Sequence, residues 1–385
     1  MYLHVFLTII ICDYLRHRMI EKLARKANLL CYSLRASRCL RQPLIPTLRR
    51  ALQLYRERRF LAEEAFALGL LRLDCDPELL HLSVSRRYPS QVQRRINPGS
   101  WAPVLADKGI FYRFCEACGL PIPDLYALYF RGTPGYCPQG TPLYDPGQWA
   151  RFIATELPSE FVVKPSGSYR GAGVTGYTRA APDEFLGSDG RMRTSRQIVE
   201  SFRQSREADS FVIQQRLRSH RALVDLSQCS NLQTLRITTF IDRGMECRLL
   251  FSHLKLMTRA GAFTDNIGDG LTGGLTSVIC LETGTISRSF LKTHEGTGDR
   301  WISHHPITQR ELAGFPVPYW SEAGDLVRRA AYAFLPVRSV GWDVAITDDG
   351  VKLVEGNIWW DRRNYAGDYI ATLLEDLDGS RATMA

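Results

Sequence analysis

The sequence predicts an α+β protein whose second half pairs its strands mainly antiparallel, preceded by a helical, basic N-terminal region. Three observations predict this. From Thr234 onward, short runs at 235–241, 247–254 and 275–281 are apolar or alternating and rich in β-branched residues. A single helical pattern, 321–334, intervenes before a hairpin pattern at 342–357. Residues 1–100 carry helical spacing and no βαβ alternation, which a parallel sheet would require.

The chain has 385 residues, enough for two or three domains. Hydrophobic residues make up 45% and charged residues 23%, which excludes a long disordered chain. The first apolar run, 2–12, is interrupted by His4 and Thr8 and is too short to span a bilayer. Its basic residues, Arg16, Arg18 and Lys22, follow the run, whereas a secretory signal carries them ahead of it. A buried or membrane-surface helix is expected, in a cytoplasmic protein that could lie peripherally at the inner membrane surface. Thr47 is expected to cap a helix with Leu48, Leu52 and Tyr55 on one stripe. Asn97, Pro98 and Gly99 mark a boundary.

Charge is uneven along the chain. The net charge is +9, yet residues 1–100 hold 18 Lys/Arg against 8 Asp/Glu, a net +10, which leaves −1 for the rest. That basic region can face an anionic membrane, an anionic substrate, a biosynthetic complex or only solvent. No zinc-finger spacing and no aromatic RNA-binding signature accompanies it, so no nucleic-acid partner is expected. The 10 cysteines are scattered through a long chain, which points to a reducing compartment. Cys115 and Cys118 form a lone C-x-x-C within a helical pattern and read as ordinary helix residues.

The central region starts with a helix at 108–118, closed by Gly119 and Pro121, and then a Pro/Gly-rich stretch. Residues 161–164 read as a short buried strand, 173–178 as the strand returning from a loop, and 211–215 as another strand. The expected organisation is a helical region 1–100, a leading segment 101–160, a small subdomain 161–220 and a larger one 221–385.

Several motifs carry chemistry. In GWDVAITDDGVKLVEGN, residues 341–357, two strands flank Asp348, Asp349 and Gly350. A three-residue turn would pair Thr347 with Val351 and set Asp343 opposite Glu355. Asn357 then shares that face with Glu355, while Trp342, Val344 and Val354 fill the other. Two carboxylates and an amide oxygen are hard ligands suited to Mg²⁺. A two-residue turn would put Asp343 and Glu355 on opposite faces. In VVKPSGSYRGAGV, residues 162–174, a strand ending at Lys164 meets a loop with Ser166, Gly167, Ser168, Gly171 and Gly173. Glycines let backbone N–H groups approach phosphate closely. Asp107 and Lys108 open a helix. In TLRITTF, residues 234–240, Arg236 lies among strand residues, where an arginine usually has an anionic partner. Asp265 and Asn266, with Gly273 and Gly274, form a polar loop.

Taken in order, these pieces resemble the ATP-grasp superfamily over roughly residues 101–370, and within it the sugar-transfer-associated branch related to glutamate ligases. That branch is linked with surface-polysaccharide biosynthesis. The resemblance implies an ATP-grasp fold in which two α+β subdomains grip ATP. It implies that Lys108, Lys164 and the loop from Ser166 to Gly173 contact the nucleotide phosphates. Gln214, Gln215 and Leu217 would hold the adenine. Asp343, Glu355 and Asn357 would hold Mg²⁺, two ions in all. Arg236, Lys164 and Asn266 would act on the transferring group. Many members carry glutamate where Gln215 stands, and the usual leading α/β domain is not visible in residues 1–100.

The implied activity is an ADP-forming carboxylate–amine ligase, with ATP, a small carboxylate such as a sugar acid or amino acid, and an amine as substrates. Phosphoryl transfer would convert a poor electrophile into an acyl phosphate. The loop 166–173 and the segment around His304, His305 and Pro306 are candidate lids. Two other readings stay open. One is a kinase of a small hydroxyl substrate on the same scaffold, and the other a silent nucleotide-binding scaffold.

Overall fold

The computed structural model describes residues 23–83, 85, 87–138, 140, 142–168, 172–259, 263, 274–291, 298–361 and 369–382. These fall into two compact units. One holds the described residues up to 91 with 298–300, and the other holds 92–291, 301–361 and 369–382.

The first unit is helical. Residues 23–39 and the helices Leu44–Arg58, Ala62–Ala67 and Pro77–Leu82 are joined by short turns. Ala36, Leu54, Phe60, Phe66, Leu70 and Leu71 form its core. The expected cap at Thr47 is corrected: the helix begins earlier, with Pro43 at the N-cap in extended geometry. Pro46 is tolerated there because first-turn N–H groups have no intrahelical partner. Thr47 is buried inside the helix and its hydroxyl donates back to the Pro43 carbonyl at 2.7 Å.

The second unit holds two sheets. The first has the order β1-β6-β2-β3-β4-β5, from β1 (Leu125–Phe130), β2 (Glu160–Pro165), β3 (Thr175–Ala181), β4 (Glu184–Gly187), β5 (Met192–Arg193) and β6 (Ser210–Gln215). On one face, Phe161, Val163, Phe211 and Ile213 pack against Trp149, Ile153, Ile198 and Phe202 of the helices Pro146–Thr155 and Ser195–Gln204. Both helices start in reciprocal capping boxes, Asp145 with Gln148 and Thr194 with Gln197. On the other face, Leu125, Leu128 and Val212 join the core built by the helix Lys108–Ala117.

The second sheet has the order β11-β10-β9-β8-β7-β12-β13, from β7 (Thr234–Ile241), β8 (Cys247–Leu256), β9 (Leu275–Ile279), β10 (Ile286–Leu291), β11 (Arg300–Ile302), β12 (Ser339–Thr347) and β13 (Gly350–Asn357). From β10 through β13 every pairing is antiparallel. The helix Trp320–Ala333 covers this sheet with Leu326, Val327 and Ala330. All of β12 is buried, which fits its place beside the sheet edge with helices and Trp360 around it. Among the described residues, no helix is long and apolar enough to cross a membrane.

The closing hairpin departs from its expected turn. Thr347 pairs with Gly350, not Val351, so only Asp348 and Asp349 lie between the strands. The Thr347 hydroxyl draws the turn tight by donating to the Gly350 carbonyl and accepting from the Asp349 N–H. Such a turn alone would separate Asp343 from Glu355 by face. A β-bulge restores the alignment: Val344 pairs with Leu353 and Asp343 with Glu355, leaving Val354 as the extra residue. The Val354 carbonyl accepts from the Tyr112 hydroxyl at 2.6 Å, so the bulge leaves no orphaned acceptor there.

Asn97, one of three residues marking the expected boundary, is buried and locks the start of β12. Its Oδ1 accepts from the N–H groups of Arg338 at 3.1 Å and Ser339 at 3.0 Å. Its Nδ2 donates to the carbonyls of Ser339 at 2.7 Å and Ile358 at 3.1 Å.

Candidate active site

Lys108 is the first residue of its helix, and the helix is started by Asp107, whose carboxylate accepts from the Ile110 N–H at 2.9 Å. The side chain is buried, with the residue 6% exposed. Its Nζ donates to the Ser168 carbonyl at 2.5 Å and stands 3.7 Å from Glu355 Oε1. Its backbone N–H donates to the Ser166 carbonyl at 3.0 Å. One lysine therefore fastens the glycine-rich loop and faces the carboxylate on β13. Burying an ammonium is costly unless it is hydrogen-bonded and paired in this way.

Lys164 lies on β2, on the sheet face it shares with Val162 and, across the pairing, Gln214 and Val212. Its Nζ is 3.5 Å from the Tyr112 hydroxyl. Burial, then the nearby Glu355 carboxylate, push the Tyr112 phenol well above its ordinary range, so it acts as a neutral donor to Val354. In the loop, the buried Ser166 hydroxyl has no hydrogen-bond partner among the described residues, and neither has the Gln214 side-chain carbonyl. Gly167 has open space where a Cβ would be. Gly173 has φ +72°, and a Cβ there would meet Pro165 Cγ at 2.8 Å, so the loop returns to β3 only with glycine. Gly171 and Asn266 lie outside the described residues.

The strongest electrostatic feature is on β7, β8 and β12. Register places Arg236 opposite Asp343. Arg236 grips the carboxylate with two nitrogens, Nε to Oδ1 at 2.7 Å and Nη2 to Oδ2 at 2.9 Å. Lys255 donates to the same Oδ1 at 2.9 Å. Burial alone would raise the Asp343 carboxyl, but Arg236 and then Lys255 outweigh it and hold the group well below the usual carboxylate range. Burial likewise disfavours the Arg236 cation, and Asp343 more than offsets that. Gly341 makes room for the arrangement: a Cβ there would sit 2.8 Å from Trp360 Cβ and 3.3 Å from Arg236 Nη1. Glu355 and Asp361 add negative charge within range of Arg236, and Arg236 Nη1 is not part of the grip on Asp343.

Asp343, Glu355 and Asn357 were expected to bind a metal together. Glu355 is directly across from Asp343, and Asn357 follows on β13 two residues beyond Glu355. Asn357 donates its Nδ2 to the Gly341 carbonyl at 3.3 Å, which leaves its oxygen for another partner. Glu355 and Asn357 thus suit a hard cation. Asp343 has both oxygens committed to Arg236 and Lys255, so it would have to give up part of that pairing to join them. No cluster of three His, Cys, Asp or Glu side chains suited to a metal occurs among the described residues.

Elsewhere, Gln215 closes β6, and its side-chain carbonyl accepts from Lys352 Nζ at 2.8 Å and from the Asp124 N–H at 3.3 Å. Leu217 follows, largely buried. His305 is fully buried and its Nε2 lies 3.1 Å from the Met257 carbonyl. Burial lowers its pKa. Cys115 is buried and Cys118 exposed, both free, as ordinary residues at the end of their helix. Sequence reasoning missed Lys255. Its signal was a lone ammonium between Leu254 and Leu256, two residues on from His253, which pairs with Arg236.

The sequence model of a family described as sugar-transfer associated ATP-grasp matches residues 87–363. No curated protein matches the chain. Similar solved structures include an L-amino acid ligase from Bacillus licheniformis, at 10% identity and TM-score 0.34 over 66% of this chain and 40% of that one. They include a phosphoribosylamine–glycine ligase from Thermotoga maritima, at 12% and 0.41 over 74% and 57%. A D-alanine–D-alanine ligase from Helicobacter pylori follows at 12% and 0.40, over 73% and 60%. The chain spans 40% to 60% of the length of these structures.

Proposed function

The chain belongs to the sugar-transfer associated ATP-grasp family, and we propose that it is an ATP-dependent carboxylate–amine ligase working through an acyl phosphate. The observation that carries this reading is Lys108, whose ammonium stands between the glycine-rich loop and Glu355. A γ-phosphate between a lysine, loop N–H groups and a carboxylate-held cation is the arrangement phosphoryl transfer needs.

In this reading Lys108, Lys164 and the backbone of Ser166, Gly167, Ser168 and Gly173 bind the phosphates of ATP. Gln214, Gln215 and Leu217 line the base site. Glu355 and Asn357, with Asp343 if it gave up part of its ion pairing, would hold Mg²⁺. The cation supplies charge neutralisation on the phosphate oxygens. A carboxylate oxygen of the first substrate attacks the γ-phosphorus, the bond to the bridging oxygen breaks, and ADP leaves. The amine then attacks the acyl carbon, phosphate departs and the amine loses a proton. Arg236 Nη1 and Lys255 present positive charge where oxygen becomes negative. Arg236, held by Asp343 through two hydrogen bonds, needs no reorganisation as that charge develops.

The test is turnover. ADP release from ATP and Mg²⁺ should depend on an added carboxylate, found by screening sugar acids and amino acids with a panel of amines. Glu355→Gln should lose at least about a hundredfold in turnover while remaining folded, with its unfolding midpoint lowered by the loss of the carboxylate 3.7 Å from the buried Lys108 ammonium. A folded Glu355→Gln protein with wild-type turnover would remove Glu355 from the site. Carboxylate-independent phosphorylation of a hydroxyl would make the protein a kinase instead.

A further inference from the structure

The helix of residues 23–39 has two apolar faces. One faces inward: the buried Ala36 and the half-buried Leu29 and Tyr32, with Leu40 just past the helix end, pack with Phe66 and Leu71. The other looks outward. Leu23, Ala27 and Leu30 recur at intervals of four and three residues, flanked by Ala24 and Cys31, and all are exposed. Leu23 is 58% and Leu30 50% exposed. An ordinary surface helix puts polar residues there.

The charge around this face has one sign. Residues 23–59 hold 10 Lys/Arg and a single acid, Glu57. Arg25 and Arg35 turn to neighbours within the unit, Arg25 towards the Tyr55 hydroxyl and Arg35 over the Phe66 ring. Lys26, Arg38 and Arg41 are exposed. Arg38 falls on the same side of the helix as Leu23, Ala27 and Leu30, so the face runs from apolar to basic along its length.

We infer that this face docks on an anionic lipid surface, with Leu23 and Leu30 entering the acyl boundary and Lys26, Arg38 and Arg41 meeting the headgroup charge. An apolar stripe edged by cations is the pattern of a helix lying in the membrane interface. A protein partner of matching shape would have to supply both an apolar groove and a dense acidic rim. An anionic bilayer offers both everywhere on its surface. None of these residues belongs to the proposed nucleotide site, so the inference does not rest on the ligase reading.

The experiment is flotation of the full chain with vesicles of phosphatidylcholine alone or mixed equally with phosphatidylglycerol. Binding to the mixed vesicles is expected, with weak binding to the neutral ones. Leu23→Asp with Leu30→Asp should weaken binding by about tenfold or more, since burying one leucine is worth about that factor. Both leucines are exposed, so the unfolding midpoint should not move. Arg38→Glu with Arg41→Glu should abolish the preference for phosphatidylglycerol while the protein stays folded. Three results would overturn the inference: no vesicle binding by the wild type, equal binding to both vesicles, or unchanged binding by the leucine variant. A wild-type dimer in light scattering that the leucine variant splits would assign the face to a second copy and overturn it as well.

Discussion

Asp343→Asn tests the electrostatic core of the site. Asp343 is 6% exposed and its carboxylate holds two cations, Arg236 through two hydrogen bonds and Lys255 through one. Replacing it by a neutral amide strands both. Removing one partner of a buried ion pair costs about 3–5 kcal/mol, because the remaining charge is left uncompensated. Lys255→Met removes one cation but leaves the bidentate Arg236 pairing intact. Its cost should stay below about 1.5 kcal/mol, since lysine desolvation is relieved at the same time. In the Asp343→Asn background the lysine is a liability, so adding Lys255→Met should recover about 1–3 kcal/mol. The assay is urea unfolding without nucleotide or metal, followed by tryptophan fluorescence, because Trp342 and Trp360 sit beside the cluster in the same unit. pH gives a second readout. The folded carboxyl titrates below its unfolded value. Its contribution is present above about pH 4 and is lost as pH falls towards the folded pKa. Asp343→Asn should lack that part of the acid destabilisation. Wild-type stability in Asp343→Asn, or an equal loss in Lys255→Met, would refute the reasoning.

Tyr112→Phe leaves the Val354 carbonyl at the bulge without its 2.6 Å donor. It should cost about 1–3 kcal/mol in urea unfolding and raise the Mg²⁺ concentration for half-maximal ATP turnover, since Glu355 adjoins the bulge; unchanged metal dependence would detach the bulge from the site. Asn97→Ala removes four buried hydrogen bonds at the start of β12. A loss of about 3 kcal/mol or more in the same unfolding assay is expected, and a loss under about 1 kcal/mol would mean that water replaces the amide.

Legibility in the sequence followed the range of the interaction that decides each feature. β2, β6, β7 and the closing hairpin are runs whose apolar pattern sits within a few residues, and they lie where the pattern put them. The opposition of Asp343 and Glu355 was also readable, though by the wrong route. The turn is shorter than expected, and a bulge at Val354 compensates, satisfied by Tyr112, which is 242 positions away in the chain. Nothing near residue 354 announces that partner. β1 is an unbroken apolar and aromatic run, LYALYF, and could have been found from its local pattern, since its pairing with β6 is no more distant than that of β7 with β12. The helices at Pro146 and Ser195 carry their capping boxes in plain sequence, Asp145 to Gln148 and Thr194 to Gln197, and could have been found. Lys255 and Arg236 show the limit for the site: alternation gives each a face, but only the strand order brings both to one carboxylate.

The most direct test of the ligase reading is trapping of the acyl phosphate. The wild-type protein is incubated with ATP, Mg²⁺, the carboxylate that stimulates ADP release, and hydroxylamine in place of the amine. The account predicts a hydroxamate of that carboxylate formed in step with ADP, and its absence in Glu355→Gln. ADP release with no hydroxamate from any carboxylate, alongside a phosphorylated hydroxyl product, would contradict it.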